Sequence, residues 1–270
     1  RISSFFFFFR MQIANNPLNE YIRLLFFAFL IGVLAGLVTL AFYKLIHLIS
    51  YFLYDYLPAR YNNLPKWTMA LFPAVGGLIV GLMIKLWPRQ PRQRGVVEVI
   101  KASFIGRGVI RFTTIIFNFI ATAIFLGTGG SLGPEAPVAF LGAGSGSLIG
   151  QAFRVSENQR RVFLAAGTAG AIAAVFNAPI GGVFFAIEIV LFNNFQTLTF
   201  SALIISAITA DYISRVFLGD QLLLTLPKVE MALSLNILYF AVLGIITGLF
   251  SLAFIRFSGK MHNFFDAQKG

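Results

Sequence analysis

The chain has 270 residues, 58% of them hydrophobic and 11% charged, with a mean hydropathy of +0.82. That excludes an ordinary soluble domain and a disordered chain, and implies a polytopic α-helical membrane protein; a transmembrane barrel would show short alternating segments instead. The net charge of +11 would suggest a nucleic-acid ligand in a soluble protein, but here the basic residues lie between apolar spans, where membrane orientation and anionic lipid account for them and no nucleic acid is expected.

Residues 1–10, RISSFFFFFR, read as a non-native or low-complexity leader, without a signal peptide's small-residue cleavage site; Met11 reads as the start. Residues 11–23 are mixed and predict a cytoplasmic surface helix. Leu24 to Phe52 is a long apolar span in which Gly32 and Gly36, four apart, form a small-residue packing face or are merely tolerated. Trp67 to Trp87 is a second span with an interfacial tryptophan at each end. Lys85, Arg89, Arg92 and Arg94 then make the densest basic cluster, which the positive-inside rule assigns to the cytoplasm. Two spans precede it, so the N-terminus is expected to be cytoplasmic too.

Beyond that loop the spans are unequal. Val96–Ile105 is too short to cross, Arg107–Leu126 is long enough, Ala136–Phe153 and Pro179–Phe195 are marginal, and Val162–Val175 is short. Leu198–Leu218, which contains Asp211, and Leu233–Phe257 are full spans. Unequal apolar segments interrupted by Gly and Pro are the mark of broken-helix transporters and channels. The chain also repeats itself. Moved by 212 residues, Gly32 meets Gly244, Gly36 meets Gly248, Phe42 meets Phe254 and Lys44 meets Arg256. The expected organisation is a first repeat over 24–230 and the start of a second over 231–270, truncated after its first helix.

The chemistry concentrates between Gly127 and Val190. This stretch reads GTGGSLGPEAPVAFLGAGSGSLIG, a short basic link, then AAGTAGAIAAVFNAPIGGVFFAIEIV. Glu135 and Glu188 stand in apolar surroundings, and an ionisable side chain at membrane depth defaults to an ion pathway. Pro134 breaks an arriving helix, while Pro137 suits a first helical turn, so a helix should start near Glu135. The N–H groups of Glu135 and Ala136 are then free for an anion, and the Glu135 carboxylate can fold onto the same donors. A carboxylate competing with an anion is a gate that protonation opens. The plainer role for Glu135 is complementing the helix dipole. Cysteine is absent and His47 and His262 lie far apart near helix ends, so neither a metal site nor a cofactor is expected.

These residues resemble the CLC family of chloride channels and chloride/proton antiporters: GSLGPEAP, then GAGSGS, then the long AAGTAG…FNAP…EIV run, with the likeness extending from about Ile22 to the C-terminus. The resemblance implies an all-α CLC-like inverted-repeat fold with broken, tilted helices, in a homodimer with one pore per subunit in the cell (inner) membrane. It implies chloride as substrate and Glu135 as the gate. It places Phe176, Asn177, Ala178 and Pro179 in the family's FNAP turn and the anion site at Arg94, Gly95, Val96, Gly133, Glu135 and Ala136. Three departures stand out. Arg94 replaces the anion-binding serine of the family's first loop and Val97 its proline; Arg94 either attracts anions or simply belongs to the basic loop. Pro134 lacks an N–H. Ile189 stands where antiporters carry an internal proton-accepting glutamate, which favours an uncoupled channel over an antiporter with another proton route. Glu188, adjacent, is read as a structural acid or a vestibule residue. A half-length subunit or fragment is a further reading. An intramembrane enzyme is not expected, because no Ser/Lys, Ser/His, HExxH or metal constellation supports one.

Overall fold

The computed structural model describes residues 17–60, 66–87, 95–192, 197–219 and 236–267; among these every regular element is a helix. In chain order the main helices are α1 (Pro17–Ser50), α2 (Leu71–Leu86), α3 (Val96–Phe104), α4 (Phe112–Gly127), α5 (Glu135–Ala152), α6 (Glu157–Phe176), α7 (Pro179–Ile189), α8 (Thr197–Leu218) and α9 (Asn236–Ala267). A π-helical turn, Tyr51–Tyr56, and a short turn, Leu57–Arg60, prolong α1, and a 3-10 turn, Lys66–Ala70, leads into α2. The chain divides into two units between residues 223 and 224, the first holding α1–α8 and the second α9.

The first unit is built around α6, packed against α5, α8, α7 and α1. Backbones approach closely because the contact positions are glycine. A Cβ on Gly142 or Gly146 would run into the backbone carbonyls of Gly167 and Phe163, so α5 and α6 cross with almost nothing between them. The same holds between α1 and α8. A Cβ on Gly32 would sit 2.6 Å from the Ser206 carbonyl oxygen, and one on Gly36 would sit 3.1 Å from Ala210 Cα. The pair four apart is therefore a packing face. Hydroxyls on α8 stitch the bundle further: Ser206 donates to the Ala166 carbonyl at 2.7 Å and Ser214 to that of Ala174 at 2.6 Å. Phe42, Phe140, Phe163, Leu141, Leu164 and Leu203 fill the core around these crossings.

Four helical stretches are long and apolar enough to cross a membrane: Leu18–Arg60, Thr68–Leu86, Leu198–Phe217 and Leu238–Met261. Several expected boundaries move. The described part of 11–23 is no separate surface helix; from Pro17 it runs unbroken into the first span. At about 1.5 Å per residue, the 34 residues of α1 extend about 51 Å, well beyond the hydrocarbon thickness. α6 is 20 residues long rather than short, because a capping box at Ser156 and Gln159 starts it one and a half turns earlier. α4 begins at Phe112 rather than Arg107. The Gly106–Arg111 segment is held off the helix by Ser147, which donates to the Gly108 carbonyl at 2.7 Å and accepts from Ile110 N–H at 2.8 Å. α7 is 11 residues and stops at Ile189. α9 runs on past Phe257 to Ala267.

Candidate functional site

Two helix starts meet. α5 begins at Glu135 with Pro134 as its N-cap, and its first bond beyond that cap runs from Val138 N–H to the Pro134 carbonyl at 3.0 Å. The N–H groups of Glu135 and Ala136 thus have no partner within the helix, and Pro137 has no N–H to offer. α3 begins at Val96 after Gly95, whose φ of +71° and ψ of −139° suit glycine. A Cβ built on Gly95 would lie 3.1 Å from that of Ala136. The buried Gly95 turn therefore rests on the first turn of α5. Two sets of free amides and two positive dipole ends gather in one place, an arrangement suited to an anion. The Glu135 carboxylate lies back over Gly133, where a Cβ would collide with its Oε2. Glu135 and Gly133 are exposed, Ala136 and Val96 half-buried.

The approach to this site is tied down. Ser50 donates to the Gly127 carbonyl at 3.0 Å, and Tyr54 O–H to that of Thr128 at 2.9 Å. These bonds fix the end of α1 against the Gly-rich turn that delivers Gly133 and Glu135. Of the residues assigned to an anion by sequence, Gly95, Val96, Gly133, Glu135 and Ala136 come together; Arg94 lies outside the described residues.

Glu188 and Ile189 occupy the last turn of α7, Glu188 exposed and Ile189 half-buried. Ser103 O–H donates to the Val190 carbonyl at 3.1 Å, so this turn meets the C-terminal end of α3. Gly95 and Ser103 are eight residues apart on that helix, about 12 Å along its axis. The two acidic positions thus belong to opposite ends of α3. At the FNAP turn, Asn177 takes a left-handed conformation with φ of +50°, and Arg215 donates to its carbonyl at 3.2 Å. Arg215 also pairs with the buried Asp211 at 2.8 Å.

One buried polar group on α1 has no motif to announce it. Tyr43, on α1, has a buried hydroxyl without a hydrogen-bond partner among the described residues. In the sequence it is one aromatic in a long apolar span.

The sequence profile of the family described as voltage gated chloride channel matches residues 76–270, and the chain belongs to that family. It is 32% identical over 255 residues to the H(+)/Cl(-) exchange transporter ClcA of Vibrio cholerae, covering 90% of this chain and 54% of that protein. It is 31% identical over 255 residues to the chloride channel protein CLC-e of Arabidopsis thaliana, covering 89% of this chain and 35% of that one. Among solved structures it superposes on a CLC-type fluoride/proton antiporter with a TM-score of 0.67 at 27% identity, over 87% of this chain and 56% of the other. A slow cyanobacterial Cl−/H+ antiporter gives a TM-score of 0.71 at 21% identity, over 84% and 54%, a likeness of fold. The chain spans about half the length of the ClcA relative it matches. With its apolar helices, it is an integral membrane protein of CLC-like all-α fold.

Proposed function

We propose that this chain supplies half of an anion-transport unit, with chloride as the substrate and Glu135 as the gate. The observation that carries the reading is the meeting of the α3 and α5 starts at Gly95 and Ala136, with the Glu135 carboxylate folded back beside the same donors. An anion and that carboxylate compete for one set of amides. Protonation removes the negative charge from the competitor, so acid favours the anion. Efflux of chloride from liposomes holding the two-repeat protein, in which this half is joined to a second repeat, tests the reading at several pH values. Glu135→Gln is expected to flatten the pH dependence; an unchanged rate and profile would remove Glu135 from the role.

Two modes of transport follow from different observations. The relatives named H(+)/Cl(-) exchange transporter support proton-coupled exchange. Ile189, which cannot carry a proton, supports an uncoupled channel, since the neighbouring Glu188 points about 100° away around the helix. We give the relatives more weight, because water or another acid can carry a proton where Ile189 cannot. The reversal potential under a pH gradient at fixed chloride separates the modes. Displacement from the chloride equilibrium potential in the direction of the proton gradient means exchange, and none means a channel.

A cytoplasmic N-terminus is supported by charge. Glu20, at the start of α1, lies 3.4 Å from Gln159, and Arg107, Arg160 and Arg161 gather around Glu157 and Val155 at the same end. Basic residues so concentrated favour the cytoplasmic face and its anionic lipids. A homodimer in the cell (inner) membrane is proposed from the family resemblance. Cross-linking in membranes checks it.

A further inference from the structure

Two loops meet at the end of the bundle opposite Glu135. One joins α3 to α4 and carries Arg107; the other joins α5 to α6 and carries Arg154. α5 separates this end from Glu135 by about 26 Å. Arg160, on α6, ties the loops together. Its guanidinium donates to the Arg107 carbonyl at 3.4 Å and to the Val155 carbonyl at 3.1 Å. Its stem is wedged between two glycines, since a Cβ on Gly108 would lie 3.0 Å from Arg160 Cγ and one on Gly150 2.8 Å. Ser147 holds Gly108 and Ile110, and Gln151 donates to the Ile110 carbonyl at 3.0 Å. The loop backbones are thus fixed. Arg107 and Arg154 both take left-handed conformations, with φ of +51° and +49°, at exposed positions.

Charge at this end is unbalanced. Arg107 Nε stands 4.0 Å from one oxygen of Glu157, and Arg161 Nη2 stands 2.6 Å from the other. One carboxylate therefore serves two arginines, while Arg154 and Arg160 add two more positive charges. Even with Glu20, which accepts from Gln159, an excess of two positive charges is left. The same loops expose apolar side chains beside the arginines: Ile105, Val109 and Phe112 around the first, Phe153 at the second. Guanidinium groups suit phosphate oxygens, and arginine interleaved with exposed apolar side chains suits the boundary between lipid headgroups and acyl chains. A free phosphate ion would use the arginines and leave the apolar side chains without a role.

We propose that this end of the bundle binds an anionic phospholipid, with Arg107 and Arg154 meeting the headgroup phosphate and Ile105 and Phe112 the acyl chains. Arg160 is the brace that sets the spacing of the two loops. The inference goes beyond the gate reading of Glu135, and it depends neither on the mode of transport nor on which face of the membrane this end occupies.

Phosphatidylglycerol titrated into the two-repeat protein in an uncharged detergent, with bound lipid counted by native mass spectrometry, tests this. Arg107→Gln combined with Arg154→Gln is expected to weaken binding about thirtyfold, the effect of two arginines at an anionic lipid surface. Both substitutions leave the bonds from Arg160 to the backbone in place. Glu157→Gln removes a competing acid and is expected to tighten binding about fivefold, a gain that misfolding cannot produce. Arg256→Gln combined with Lys260→Gln takes the same charge from α9 and should leave binding unchanged. Phosphatidylcholine, whose phosphate is balanced by its own cation, should bind far more weakly. Undiminished binding in the loop double variant overturns the site, as does an equal loss in the α9 variant. Binding that Glu157→Gln leaves unchanged or weakens, or phosphatidylcholine bound as tightly as phosphatidylglycerol, also overturns it. Displacement of the lipid by an equal concentration of inorganic phosphate would make this a site for a free anion and overturn the lipid assignment.

Discussion

At the scale of single residues, Gly133 and Asp211 make opposite kinds of demand. Gly133 supplies empty space, because any side chain there would occupy the position of the Glu135 carboxylate. Gly133→Ala should push the carboxylate off the donors and raise chloride flux at neutral pH several-fold, flattening the pH profile much as Glu135→Gln does. Flux assays across the pH range check it. Asp211 supplies a charge that must be matched. It is 6% exposed, one of its oxygens has no hydrogen-bond partner, and Arg215 meets the other at 2.8 Å. Arg215→Ala leaves a carboxylate unpaired in an apolar bundle and is expected to destabilise the protein by about 2 kcal/mol, below the full cost of breaking a buried pair because Arg215 is itself 41% exposed. Asp211→Asn combined with Arg215→Ala should recover part of the loss. Thermal midpoints in detergent measure both. The FNAP motif is legible in the sequence, but the arginine that braces its carbonyl, 38 residues later, is not.

At the scale of elements, close backbone approach decides the architecture. α5 and α6 touch through Gly142, Gly146 and Gly167, which leave no room for a Cβ. Gly142→Val must push the helices apart and is expected to cost about 3 kcal/mol, the upper end for overpacked cores. Loss of monodisperse protein or a fall of several degrees in the thermal midpoint would record it. By contrast, Ser156→Ala removes an exposed cap from α6 and should cost only about 1 kcal/mol. The start of α5 could be read ahead from Pro134 and Pro137, because proline's fixed φ and missing N–H act within one turn. The early start of α4 expected at Arg107 was overturned by Ser147, a residue of another helix, and local signals carry no trace of such a bond.

At the scale of the whole molecule, the proposed anion site takes its donors from the starts of α3 and α5. Glu135 and Gly133 are exposed and Ala136 is half-buried. The chain also spans about half of its ClcA relative. It is therefore expected not to conduct by itself, and liposomes containing the given chain alone should release chloride no faster than empty ones. Selective chloride efflux from them would show the unit to be complete. The two long apolar helices that the internal repeat aligns in sequence, α1 and α9, have 34 and 32 residues.

Composition, glycine and proline by themselves determined that the chain crosses a membrane in unequal helices, that one of them begins at Glu135, and which family it resembles. Those properties follow from local causes: transfer of apolar side chains out of water, the restricted φ of proline and the absence of a side chain on glycine. What only the tertiary structure decided is which of these pieces share a site. Gly95 and Ala136 are 41 positions apart in the chain and become neighbours because α3 is held against α5. Glu188 is as conspicuous in the sequence as Glu135, yet it is carried to the other end of α3 by the packing of α7 on α6. Gly32 and Gly36 read as one small-residue face in a long apolar span, and only the fold shows that they press α1 onto Ser206 and Ala210 of α8. Pairings of this kind depend on helix crossings fixed by many residues at once, and no short stretch of sequence encodes them.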